Sequence, residues 1–185
     1  MNRRFLTSIS LLSATLLLSA CTTLPDNLVS SDPHLLTDYA RWDPDASGGQ
    51  DLRLGGVIAS VTNLETVTRI EVVNLPINSD GKPDINREPS GRFVGYIDGF
   101  IDPVSATQGR LVTFLGNNHG VEHAKVGEYD YRFPVMDIKS YHLWRIEEQV
   151  IFHDDFGPAR YSCRSLYCRD ITRGTRQGKV IQQVK

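Results

Sequence analysis

Between Arg53 and Trp144 the chain is written in short runs of β-branched and aromatic residues, separated by clusters of Gly, Pro, Asn and Asp. Runs of that length and composition read as strands, and the breakers between them leave no room for long helices. The pattern predicts strands at 54–61, 67–75, 92–100, 110–117 and 135–144, with a shorter one near 121–126. Asn63-Leu64-Glu65-Thr66 separates the first two closely enough for a hairpin. The connection from Pro76 to Gly91 is long, holds Pro76, Pro83 and Pro89, and is of a length often found to be functional or mobile.

Five or six short strands favour a closed ring over an open sheet, because closure removes unpaired edges. The expected fold is mainly β: a small OB-like, five- or six-stranded antiparallel barrel, preceded by a signal-peptide helix and followed by an irregular basic tail. Met136, Ile138, His142 and Trp144 fall on one strand face and Asp137 and Lys139 on the other, which predicts one buried side. Leu111-Val112-Thr113-Phe114-Leu115 is apolar on both faces, so it belongs in the centre or under the N-terminal segment or tail. Tyr131, Phe133 and Trp144 read as core aromatics rather than a ligand cage. A short helix is expected from about Pro33 to Trp42, capped by Asp32 with proline in the first turn, and Trp42 should dock on the body.

The first twenty residues are of another kind. Arg3 and Arg4 precede the apolar run Leu11 to Leu18, and Ser19 and Ala20 are small. This is the grammar of a secretory signal, too short and too rich in Ser and Thr for a spanning helix. Cys21 follows the small residues. A cysteine there marks a bacterial lipoprotein precursor, since its thiol, and after cleavage its amine, accept fatty acyl chains such as palmitate. Cleavage leaves 165 of the 185 residues, enough for one domain. Thr22 stands where aspartate, in the Gram-negative sorting system this resembles, retains a lipoprotein in the inner membrane; that resemblance implies the outer membrane. The boundaries follow: signal peptide 1–20, tether and N-terminal segment 21–50, barrel 51–146, basic tail 147–185. Thr22 to Asn27 reads as a polar tether lifting the body off the membrane.

Three cysteines are present. With Cys21 assigned to lipid, Cys163 and Cys168 remain as a pair in an oxidising compartment, where a disulfide forms readily; a metal site is the rival and lacks further ligands nearby. From Arg160 to Lys185 seven Lys and Arg face Asp170 alone. That tail reads as a solvated basic segment, or as one that meets anionic headgroups, lipopolysaccharide phosphates or an acidic envelope partner. The formal charge of −2 falls to −4 once Arg3 and Arg4 are removed. A mildly acidic body is not the footprint of a nucleic-acid binder.

Seven blocks then occur in order. They are Arg53-Leu54-Gly55-Gly56-Val57-Ile58, Leu75-Pro76-Ile77 with Gly81-Lys82-Pro83, Gly91-Arg92-Phe93, Gly99-Phe100-Ile101-Asp102-Pro103, Val112-Thr113-Phe114-Leu115-Gly116, Tyr131-Arg132-Phe133-Pro134-Val135 and His142-Leu143-Trp144. Over about residues 24–146 this resembles the Slp-type outer membrane lipoproteins. The resemblance implies a starvation- or stationary-phase-inducible protein of the Gram-negative outer membrane and no known reaction. Residues 147–185 depart from it.

Catalytic signatures are thin. His119-Gly120-Val121-Glu122-His123 fits the letters H-x-x-E-H of certain zinc peptidases. That chemistry needs both histidines on one helical face, whereas Gly120 and the flanking Gly116-Asn117-Asn118 point to a solvated hairpin loop. There is no G-x-S-x-G elbow, no phosphate-binding glycine loop and no cofactor motif. The expectation is a non-enzymatic envelope lipoprotein held in the outer membrane by acylated Cys21. The alternative is a periplasmic binding module that takes a small ligand or glycan at the barrel mouth. A filled barrel favours the first and a concave polar site the second.

Overall fold

The computed structural model describes residues 24–47, 49–152 and 178–185. Seven strands follow one another: β1 (Asp51–Asn63), β2 (Val67–Leu75), β3 (Gly91–Asp98), β4 (Leu111–Val126), β5 (Tyr129–Trp144), β6 (Ile146–Phe152) and β7 (Gly178–Val184). The first five form a closed barrel in the order β1-β2-β3-β5-β4, with β4 returning to β1. All five expected strands are present, and the short run near 121–126 is the outer half of β4. The hairpin at 63–66 is closed by Leu64 N–H on Val67 O at 2.8 Å.

The ring is not wholly antiparallel: β3 and β5 pair in parallel through Val94–Val135, Gly95–Met136 and Tyr96–Asp137. The reason is parity. Directions cannot alternate around a closed ring with an odd number of strands, so at least one neighbouring pair must be parallel.

The lumen is filled. Leu54, Ile58, Ile70, Val72, Phe93, Val112, Phe114 and Met136 form one buried cluster inside the ring. Its lower end is stopped by the N-terminal segment, where the rings of Tyr39, Trp42, Phe93 and Phe114 follow one another at centroid spacings of 6.1 to 6.3 Å. Edge-on and tilted contacts of this kind add about 0.5–1.5 kcal/mol each beyond burial. The upper end is stopped by Ile101 and Ala106 of the β3–β4 loop. Thr68 and Asn63 hold that loop: the Thr68 hydroxyl accepts from Ile101 N–H at 3.1 Å, and Asn63 Nδ2 donates to Ile101 O at 3.1 Å.

Three bulges re-aim side chains; one is at Ala59 of β1, between the pairs Ile58–Val72 and Ser60–Glu71. Lys139 is the extra residue of β5, between the pairs Leu115–Ser140 and Gly116–Ile138. An extra residue reverses which face later side chains take. Met136 and Ile138 therefore point inward, but Tyr141 and Leu143 follow them against the lumen core, while Trp144 joins a cluster on the outer face. The expected single face of Met136, Ile138, His142 and Trp144 is thus split at the bulge. His119 is the matching extra residue of β4, between Asn118–Met136 and Gly120–Val135.

Three further expectations are corrected. Residues 33–42 form no α-helix. Leu36 is drawn into a parallel bridge beside Leu52, with Leu36 N–H on Asp51 O at 2.9 Å and Arg53 N–H on Leu36 O at 2.8 Å, and only Tyr39–Arg41 coils, as a 3-10 turn. Asp32 serves the local turn instead, accepting from His34 N–H at 2.8 Å. The strand expected to reach Phe100 stops at Asp98, where Gly99 takes φ +83°. The tail is not irregular at its described ends: β6 and β7 pair antiparallel from Ile146–Val184 to Phe152–Gly178.

Candidate functional site

The site that bears most on function is the seat of the chain that leads to Cys21. Cys21, residues 1–20, Cys163 and Cys168 lie outside the described residues. Leu24 does not. Leu24 and Leu28 pack into a second apolar cluster on the outer face of the ring, with Leu75, Leu111, Leu115 and Trp144. Leu28 is wholly buried at the end of a 3-10 turn, Asp26–Leu28. This explains why Leu111–Leu115 is apolar on both faces: Val112 and Phe114 fill the lumen, and Leu111 and Leu115 carry the N-terminal segment.

Polar contacts fix the same seat. Asn27 Nδ2 donates to Tyr141 O at 2.6 Å, the Ser140 hydroxyl donates to Asn27 O, and Arg53 Nη1 donates to Leu28 O at 3.1 Å. Burial pushes the Arg53 guanidinium pKa below its ordinary value. Further on, Asp51 gathers Lys139 Nζ at 3.0 Å, the Ser30 hydroxyl at 3.0 Å and Asn117 Nδ2 at 2.5 Å. The hydrogen bond from Lys139, with those of Ser30 and Asn117, outweighs burial and holds the carboxyl below its usual range. The expected polar tether is therefore corrected over 24–27: Leu24, four residues before the buried Leu28, gives the segment an apolar side, and it docks.

The β2–β3 loop completes the seat. Gly81 has φ +77°, and a Cβ there would stand 2.9 Å from Leu24 Cδ1, so the close approach and the left-handed backbone both call for glycine. The buried Thr113 hydroxyl donates to Gly81 O at 2.6 Å and accepts from Trp144 Nε1 at 2.9 Å. Lys82 Nζ stands 5.8 Å from the centre of the Trp144 ring. Ile77 and Pro83 lie over Gly55, where a Cβ would meet Ile77 Cγ2 at 2.4 Å. The loop thus clads β1 and β4 on the outside and does not stand at the barrel mouth.

Other groups singled out by the sequence are structural in their contacts. The H-x-x-E-H letters lie on strand β4, not on a helix or in a hairpin loop. His119 Nδ1 meets Asp137 Oδ2 at 2.7 Å on the surface. Glu122 turns to the outer face of β2 and β3, where it receives Arg69 Nε at 3.0 Å and the Tyr96 hydroxyl at 2.6 Å. Burial lowers the Arg69 pKa, but the Glu122 carboxylate outweighs it and the net shift is upward; burial and then Glu122 raise Tyr96. Phe133 is a core residue as expected, in a third cluster with Val94 and Val135, and the half-buried Tyr131 packs against it at 4.7 Å. Among the described residues no group of three or more His, Cys, Asp or Glu is placed to hold a metal ion. Among the described residues the surface holds open grooves, such as the one between Asn78–Asn86 and Gln182–Lys185.

The outer seat could not be found from local pattern. Its sole signal was the pairing of Leu24 and Leu28 with a doubly apolar Leu111–Leu115, a match between distant segments.

Comparison with known proteins agrees with the blocks read from the sequence. The family model described as the outer membrane lipoprotein Slp family matches residues 18–167, from Leu18 through Cys21 and the whole five-stranded barrel. It runs past the limit at 146 that the sequence blocks implied, so the expected departure from the family over 147–167 is corrected. A lipoprotein of Escherichia coli K12 named "Uncharacterized lipoprotein YeaY" is 36% identical over 138 residues, 74% of this chain and 71% of its own. "Outer membrane protein Slp" of the same strain is 31% identical over 143 residues, 76% of each chain. An "Uncharacterized protein" of Haemophilus influenzae is 33% identical over 124 residues, 63% of this chain and 67% of its own. No solved structure matches. The chain belongs to the outer membrane lipoprotein Slp family.

Proposed function

We propose that this chain is a non-enzymatic lipoprotein of the Gram-negative outer membrane, anchored by acyl chains on Cys21, and that its body works as an envelope component rather than as a carrier of a small ligand. The observation that carries this reading is the filled lumen, stopped below by Tyr39 and Trp42 and above by Ile101 and Ala106. A ligand module needs a concave site with convergent polar groups, and the mouth where one was sought is occupied by the chain's own side chains. The body has an OB-like geometry; the closed order β1-β2-β3-β5-β4 with its one parallel pair supports it. Fold alone brings no oligonucleotide or sugar partner with it.

Membership of the Slp family supports the address, and the family resemblance supports a role in starvation and stationary-phase envelope stress. Cys163 and Cys168 bridge to each other in the oxidising periplasm. The basic run from Arg160 meets anionic headgroups or an acidic envelope partner. The test is fractionation of cells carrying the wild type or Cys21→Ala, with acyl labelling. The wild type is expected in the outer membrane fraction with label. A Cys21→Ala chain that is processed normally and still sediments with the outer membrane contradicts the reading. Thermal shift against envelope glycans is expected to be flat, and a saturable rise of several degrees would restore the binding module.

A further inference from the structure

The length of chain between the lipid and the folded body has a direct consequence. Thr22 and Thr23 separate Cys21 from Leu24. Three residues of extended chain span at most about 11 Å. Leu24 is itself part of the body, packed with Leu28, Leu111 and Trp144 and touching the loop at Gly81. There is no spacer in between.

We infer that the body lies flush on the bilayer, with the face that seats Leu24 turned to the lipid headgroups. That face includes the tip of the β2–β3 loop, Asn78–Lys82, where Gly81 meets Leu24. The inference rests on lipid attachment at Cys21 and goes beyond it by assigning which side of the barrel meets the membrane. An acylated cysteine sits at the level of the headgroups, so whatever lies within a three-residue reach of it is held there too. Lys82, next to the Gly81 that Leu24 approaches and with its ammonium over the ring of the buried Trp144, is of the residue type drawn to anionic headgroups. The far side is equally defined. In the ring β1-β2-β3-β5-β4, β3 lies opposite the β4–β1 pair that carries the seat. The outer half of the β4–β5 hairpin packs against β3 through Val94, Tyr96 and Phe133, and its tip at Tyr129 is exposed. That tip faces away from the lipid.

The experiment uses the full acylated protein in nanodiscs of phosphatidylethanolamine and phosphatidylglycerol. A photo-crosslinking side chain replaces Ser79 in one variant and Tyr129 in another, and lipid adducts are counted by mass spectrometry. Ser79 is expected to capture lipid several-fold more than Tyr129. Inserting twelve Gly and Ser residues between Thr23 and Leu24, with a span of roughly 20 Å, is expected to leave the protein in the disc and abolish the difference. Equal capture at the two positions in the anchored wild type overturns the orientation alone. An excess at Ser79 that survives the insertion overturns the role of the short tether. A wild-type chain that does not enter the disc removes the anchor, and with it both readings.

Discussion

The barrel carries two apolar cores that share strands but answer to different demands. The inner one, around Phe93, Phe114 and Met136, is enclosed by the ring and stopped at both ends. The outer one, around Leu28, Leu111 and Trp144, exists only because the N-terminal segment and the β2–β3 loop fold back over β1 and β4. The first needs no lipid to explain it. The second fixes the three-residue link to Cys21 at one place on the surface. The same strands thus hold the fold together on one face and seat the N-terminal segment on the other.

Substitutions at the two cores should therefore fail differently. Phe114→Ala empties a wholly buried lumen position and is expected to cost about 3–5 kcal/mol, with protection from hydrogen exchange lost across all five strands. Urea unfolding of the detergent-solubilised protein measures it. Leu28→Ala is also fully buried, but its cover is a single segment that can shift toward the gap. A loss of about 2–3 kcal/mol is expected, with exchange rising over residues 24–30 and in the loop at 78–82 while the barrel strands stay protected. If both variants loosen the molecule uniformly, the two cores are one.

A smaller effect links the lower plug to the inner core. Burial first, and then the neighbouring Tyr131, push the Tyr39 hydroxyl up from 10.0 to about 12, and its proton is donated to Arg92 O at 2.8 Å, a bond that only the neutral form makes. The folded chain keeps this proton where the unfolded chain has lost it. The stability tied to Tyr39 is thus complete below about pH 10 and is lost as the pH rises toward about 12. Melting temperatures followed over this window should fall more steeply for the wild type than for Tyr39→Phe; parallel curves would detach Tyr39 from the core. The smallest effect belongs to the surface. His119 sits in a bulge and pairs with Asp137, both more than half exposed. His119→Ala should change stability by no more than about 0.5 kcal/mol.

Much of the inner core was legible because it obeys local rules. Alternation and breakers marked the five strands, and Asn63 to Thr66 marked their first hairpin. The outer core was not, because it depends on segments far apart in sequence. Nothing near Gly81 announces that its backbone will meet Leu24, and nothing near Leu36 says that Asp51 and Arg53 will hold it extended and displace a helix. The bulge at Lys139 was hidden for another reason. One inserted residue leaves composition unchanged yet reverses every later side chain, which moved Trp144 from the expected inner face to the outer seat. The pairing of β6 with β7 joins Ile146–Phe152 to Gly178–Val184, too distant for any local pattern to register. Cys21 lies outside the described residues, and its reading rests on a processing grammar and not on a fold.

The central claim is that this filled barrel is tied to lipid directly at Cys21. Its most direct test is the intact mass of the protein extracted from the outer membrane fraction, with a tandem spectrum of its N-terminal peptide. The expected result is a chain that begins at Cys21 and carries acyl groups on that residue. A chain that retains residues 1–20, or one that begins at Cys21 with a free thiol and amine, would contradict it.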